Sequence, residues 1–262
     1  MHHQRRPSSP PSPPVPGRPG GRVKTDFSFR LEGLVPDEGA TLFSIKAPLE
    51  TDLEPLTEHH ENTTDTGTTS WYLLHDTSAG WAVAGQPPLL SARVERAPEA
   101  GLFRMEHQRH TLAPLAQAWL IEHGCPGAAA VRLADGLPRP GDPFTVIAEN
   151  RLRRSRLRIL DQWHGQDESW VMGIDKTART RPLRVFLETA RADTYSLKEG
   201  AFASTTTARA WLRGDRRTPL PPPPSPDLRV RAARSRSSYS SSVPAYGEIP
   251  APLCAPERGR SL

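Results

Sequence analysis

The chain has 262 residues, with 34 Lys and Arg against 29 Asp and Glu for a net charge of +5. Its two cysteines are too few for a secreted disulfide framework, and no run approaches the ~20 apolar residues of a membrane helix. The positive charge is concentrated at the ends: residues 1–24 carry five basic residues and no acid, residues 214–262 carry eight against four, and residues 25–213 hold 21 basic and 25 acidic. A basic pI therefore does not by itself assign a nucleic-acid or membrane partner to the folded part.

Residues 1–24 form an N-terminal arm rich in Pro, Arg and Ser. Arg5-Arg6 is followed by Pro7 and Pro10-Pro11 where an export signal needs an apolar stretch, so a cytoplasmic protein is expected. Gly17 to Thr25 imitates a phosphate-binding loop, but Val23 stands where that motif has the glycine before Lys. From Gly214 the chain is again low in large apolar residues, with Pro221 to Pro224 and an Arg/Ser run after Arg229. Neither end can offset its ordering entropy by burial, so both are expected to be disordered. The folded domain is then residues 25–213, large enough to bury a core without staples.

Within it, alternation predicts strands at Phe27 to Leu31 and Leu42 to Lys46, followed by a long acidic loop from Glu50 to Thr69. Further strands are expected at Trp71 to Leu74, Trp81 to Ala84 and Leu89 to Val94. Thr111 to His123 reads as a helix, with Pro114 in its first turn, an apolar stripe of Leu112, Leu115, Ala116, Trp119 and Leu120, and Gly124 as its stop. Strand patterns return at Ala129 to Leu133, Phe144 to Ala148, Arg156 to Trp163, Trp170 to Ile174, Leu183 to Leu187 and Tyr195 to Leu197. A second helix runs from about Ser204 to Arg213. Short polar turns join the strands, too short for parallel crossovers. The expected fold is α+β, with a mainly antiparallel sheet, two helices and disordered tails.

A weak repeat crosses this order. Ser70-Trp71 with Asp76 recurs 99 residues later as Ser169-Trp170 with Asp175, and Ala116-x-Ala-Trp119-Leu120 recurs as Ala208-x-Ala-Trp211-Leu212. Two similar halves, about 25–125 and 126–213, are one reading, and recurrent Ala-Trp-Leu in short helices is the other.

The concentrated positive patch is Arg151, Arg153, Arg154, Arg156 and Arg158. On a strand Arg154, Arg156 and Arg158 share a face; on a helix Arg151, Arg154 and Arg158 do. Strand parity sets Trp163 on the opposite face with Leu157 and Ile159, which makes it core. A polyanion site competes here with two structural readings, an edge strand guarded by charge and pairing with the acidic segment Asp26 to Asp76. With 30 Arg against 4 Lys in the chain, arginine is not evidence of selected phosphate contacts.

His107 with His110, His123 with Cys125, and His59-His60 with Glu58 and Glu61 lack the spacing of a metal motif, so no metal or cofactor is expected. The carboxylates Asp135 with Asp142 and Glu149 with Asp161 are the acid–base pairs that a hydrolase reading would use. The sequence favours a binding module over an enzyme. The sequence leaves the partner open: a polyanion such as nucleic acid and an acidic protein are the candidates, a protein-interaction domain without nucleic acid is the alternative function, and no membrane partner is expected.

Overall fold

The computed structural model describes residues 27–37, 52–62, 67–79, 85–135, 137–214 and 218–224. The first sheet contains β1 (Val35–Pro36), β2 (Leu53–Asn62), β3 (Thr68–Asp76), β4 (Leu89–Ala97) and β5 (Leu102–His110), in the order β1-β5-β4-β3-β2. Two helices follow, α1 (Ala113–Glu122) and the single turn α2 (Gly127–Ala130). The second sheet contains β6 (Arg139–Pro140), β7 (Leu157–His164), β8 (Glu168–Asp175), β9 (Leu183–Ala190) and β10 (Thr194–Phe202), in the order β6-β10-β9-β8-β7. Helix α3 (Pro143–Arg154) lies between β6 and β7, and α4 (Thr205–Arg213) follows β10.

The fold is thus α+β, but each sheet is mixed: four antiparallel strands and one two-residue strand, β1 on β5 and β6 on β10, added in parallel. Among the described residues four α-helices stand where two were expected. One order and one register serve both sheets. Leu53 stands opposite Asp76 as Leu157 stands opposite Asp175, Leu89 opposite His110 as Leu183 opposite Phe202, and β2 and β7 each carry one bulge, at Leu56 and Leu160.

The layers follow from the two faces of each sheet. Tyr72, Leu74, Val94 and Met105 bury one face of the first sheet beneath Phe27, Phe29 and Leu31. Arg96 fixes this segment by donating to the Phe29 and Arg30 carbonyls, the Ser70 hydroxyl and the Tyr72 hydroxyl. Trp71, Leu73 and Leu89 cover the other face with Ala116, Trp119 and Leu120 of α1. Helix α1 presents Leu112 and Leu115 to the second sheet, where they meet Ala148 and Leu152 of α3 with Val171, Phe186 and Leu197. It is therefore apolar on more than one side, as a helix wedged between two sheets must be. Helix α4 packs by Ala208, Leu212 and the half-buried Trp211 onto Met172, Val185 and Phe202.

Several sequence expectations are corrected. Phe144 to Ala148 is helical, because Asp142 caps the Thr145 amide at 2.9 Å and Pro143 occupies the first turn. Glu50 to Thr69 is not one long loop; it contains β2, an edge strand whose polar residues hide its alternation. Phe27 to Leu31 is irregular, with Arg30 at φ 55°. Ala129 to Leu133 begins in the turn α2 rather than in a strand. The strands expected at Leu42 to Lys46 and Trp81 to Ala84, the loop-like Gly17 to Thr25, and the tails 1–24 and 225–262 lie outside the described residues. Residues 218–224, expected in the tail, lie against β10: the Ala201 amide donates to the Pro221 carbonyl at 2.8 Å and Leu220 covers Gly200.

Candidate functional site

The arginine run does not form one element. Arg151, Arg153 and Arg154 occupy the last turn of α3, where positive charge complements the helix dipole. Ser155 caps that helix, Arg156 follows, and Arg158 lies on β7. Neither of the regular spacings expected from sequence holds, since the helix ends in the middle of the run.

Two of the five are neutralised within the second half. Arg151 pairs with Glu199 at 3.2 Å. Arg153 donates to Glu149 at 3.2 Å, to the Asn150 side chain at 2.7 Å and, across to α1, to the side-chain oxygen Oε1 of Gln117 at 2.8 Å. Arg154, Arg156 and Arg158 are exposed, and among the described residues no carboxylate lies within 4.0 Å of them. Pairing with the acidic segment is therefore not how these three are satisfied. That segment has its own partners: Asp76 meets Arg109 at 2.7 Å, Glu61 meets His59 at 2.8 Å and Glu58 meets His60 at 3.5 Å. The edge-strand reading does apply to Arg158, because β7 is the outer strand of its sheet.

Arg153, Arg154, Arg156 and Arg158 line a groove of about 950 Å³ between α1 and the corner joining α3 to β7. Lys176 adds a fifth cation, and Glu122 is the acid on its wall. The floor and near wall are apolar, formed by Leu115, Ala118, Trp119 and Ile121 of α1 and by Leu157 and Ile159 of β7. Trp119 is not an open stacking platform, since His123 lies parallel to its ring at 3.7 Å. Gln108 supplies exposed, uncharged polar atoms, and His110 is buried behind them. Burial holds the His110 imidazole down to about pH 4, helped by His123, and its Nε2 has no hydrogen-bond partner among the described residues.

Trp163 is corrected from core to surface, at 38% exposure. The bulge at Leu160 inserts one residue, so parity reverses along β7: Leu157 and Ile159 face α3, whereas Trp163 stands opposite Trp170 on the other face. Its indole lies on Gly85, whose φ of +83° and closeness to the ring leave no room for a side chain.

Two other concavities mix acid and base. One of about 290 Å³ brings Arg139 and Arg153 to Asp135 and Glu149. Tyr195 donates a hydrogen bond to Glu149, and burial together with the Glu149 charge pushes Glu188 up to about 7. Sequence reasoning missed Tyr195 and Glu188, which had no motif and meet only through the sheet. A second, of about 560 Å³, sets Arg151, Arg154 and Arg184 beside Asp175 and Glu199, so Arg154 borders both this concavity and the groove. The carboxylate pairs named from sequence separate: Asp142 is a helix cap, Asp161 approaches Arg209 at 3.9 Å and Glu149 is held by Arg153 and Tyr195.

The histidine pairs also separate. His107 and His110 lie on opposite faces of β5, as do His59 and His60 on β2, so neither pair shares an ion. Among the described residues no group of three His, Cys, Asp or Glu is arranged to hold a metal, and no helix is long and apolar enough to cross a membrane. No protein-family model matches the chain, and no curated protein is similar to it.

Proposed function

We propose that the chain is a binding module that takes a polyanion in the groove between α1 and the α3–β7 corner. The observation that carries this is the set of exposed cations Arg154, Arg156, Arg158 and Lys176, which line one concavity and have no carboxylate within 4.0 Å among the described residues. Leaving like charges close together costs free energy that an isolated fold has no reason to retain, and an anionic ligand removes the cost. Other exposed cations, Arg132, Arg181 and Arg191 among them, also have no ion pair among the described residues; the groove is set apart by gathering four such cations on one concavity.

The reading favours binding over catalysis. The groove has no nucleophile paired with a base, and its histidine is held neutral by burial. A cytoplasmic setting agrees with the free, buried Cys125, whose thiol burial pushes up to about 11. Titration of the purified chain with a fluorescent oligonucleotide across a salt series tests the proposal. Three to four neutralised phosphates give a slope of log K against log salt of about −2 to −3 for a single strand. Binding that does not respond to salt contradicts it.

A further inference from the structure

We infer that the anion this groove takes is a single-stranded nucleic acid, with the phosphates on the arginine rim and unpaired bases on the apolar floor. The inference rests on the polyanion reading above and adds the identity of the ligand. A duplex presents phosphates and hides the faces of its bases, so it can use the rim and leaves the floor wet. Polyphosphate and acidic peptides likewise have no large flat apolar group to place there. A single strand has both, because every unstacked base carries an apolar face beside its phosphate.

The groove supplies surfaces for both parts. Ile121, 41% exposed, and the half-buried Ala118, Leu157 and Ile159 give an aliphatic platform. Free guanidinium planes at Arg154, Arg156 and Arg158 can stack on bases as well as meet phosphates, a use that paired arginines do not have. Gln108, exposed on the groove wall, offers an uncharged polar group to base edges, whereas the His110 Nε2 is buried behind that wall. These contacts tolerate any base, so little sequence preference is expected.

The test compares four probes on the full chain at one ionic strength: a labelled 12-nucleotide single strand, the 12-base-pair duplex of the same sequence, polyphosphate and polyglutamate. Base contacts worth about 1.4 kcal/mol make the single strand roughly tenfold tighter than the other three. Ile121→Ser, at an exposed position, weakens the single strand about threefold and leaves polyphosphate unchanged, while Arg154→Glu/Arg158→Glu weakens every probe. Equal binding of the duplex, polyphosphate or polyglutamate, still lost in the arginine variant, overturns the single-strand inference and leaves the polyanion groove standing. Binding that persists in the arginine variant, or no binding by any probe, overturns both.

Discussion

Asp76 and Asp175 close β3 and β8 in the same way. Each carboxylate accepts from the amide and the hydroxyl of the residue two further on, Ser78 at 2.9 and 2.5 Å and Thr177 at 2.9 and 2.6 Å. Each also faces an arginine, Arg109 at 2.7 Å and Arg184 at 3.6 Å. The likeness extends to the other end of the strand pairs, where His60 Nδ1 lies 2.7 Å from Ser70 Oγ and His164 Nδ1 lies 2.8 Å from Ser169 Oγ. The two sheets thus share these side-chain pairs as well as one strand order and register.

Equal geometry does not mean equal energy. The Asp76 side chain is 1% exposed and that of Asp175 is 17% exposed. For Asp76, burial raises the carboxyl pKa, but the Ser78 and Arg109 contacts more than offset this and hold it below the ordinary value. Asp76→Asn is expected to cost about 3 kcal/mol and Asp175→Asn about 1 kcal/mol, measured by urea unfolding at pH 7. Because the native pKa is depressed, the Asp76 contribution is present above the unfolded value of 3.8 and is lost as pH falls through the native one.

Glu188 and His110 give opposite pH slopes. Glu188 keeps its proton up to about 7 in the native state, whereas the unfolded side chain loses it near 4.5. The native state binds more protons in that window, so stability falls as pH rises through it. His110 is neutral down to about 4 in the native state but takes a proton near 6.5 when unfolded, so its stabilisation is lost as pH falls from 6.5 towards 4. Glu188→Gln is expected to raise stability at pH 8 by on the order of 1–3 kcal/mol and to have little effect at pH 4.5. His110→Gln should flatten the acid side of the curve. Thermal unfolding from pH 4 to 8 separates the two.

Gly85 and Trp163 make a tight contact between the halves. A Cβ at Gly85 stands 2.5 Å from the indole Cδ1, and the residue also needs a positive φ. Gly85→Ala is expected to destabilise by about 2 kcal/mol and to shift the tryptophan emission. In a Trp163→Ala background the cost falls to the backbone part, about 1 kcal/mol.

Leu115 of α1 is buried against the second sheet, whereas Thr207, at the matching place in α4, is exposed and completes a capping box with Ser204. Leu115→Ala is expected to cost about 3 kcal/mol and Thr207→Ala about 1 kcal/mol. Similar costs at the two positions, by denaturant unfolding, contradict the wedged placement of α1.

The sequence made the central strands and the two Ala-Trp-Leu helices legible because their buried side chains follow one period. Phe186 and Val171 or Trp71 and Leu73 alternate between two covered faces, and Trp119 and Leu120 lie one turn below Leu115 and Ala116. Helix α3 was illegible for the reverse reason. Its large apolar residues Phe144, Val146 and Ile147 are exposed, with Phe144 at 78%, while Thr145 and Glu149 hold places in the buried stripe. Only the Asp142-Pro143 cap announced it. Strand β2 was hidden by its edge chemistry, β5 by the polar run Glu106 to Arg109 after Phe103 and Met105, and β1 and β6 by having just two residues each. The arginine run was visible as charge, but its division among α3, the turn and β7 needed the partners that α1 and β8 supply.

The most direct test of the account is the affinity of a labelled single-stranded oligonucleotide for the full chain and for Arg154→Glu/Arg158→Glu, measured by fluorescence anisotropy at 100 mM salt. Both side chains are exposed and unpaired among the described residues, so the variant should fold normally, as unchanged thermal unfolding will verify. The account predicts at least tenfold weaker binding, about 1.4 kcal/mol or more, and a shallower salt dependence. Equal affinity of the variant and the parent chain would contradict it and move binding to the Arg-rich segment after residue 224.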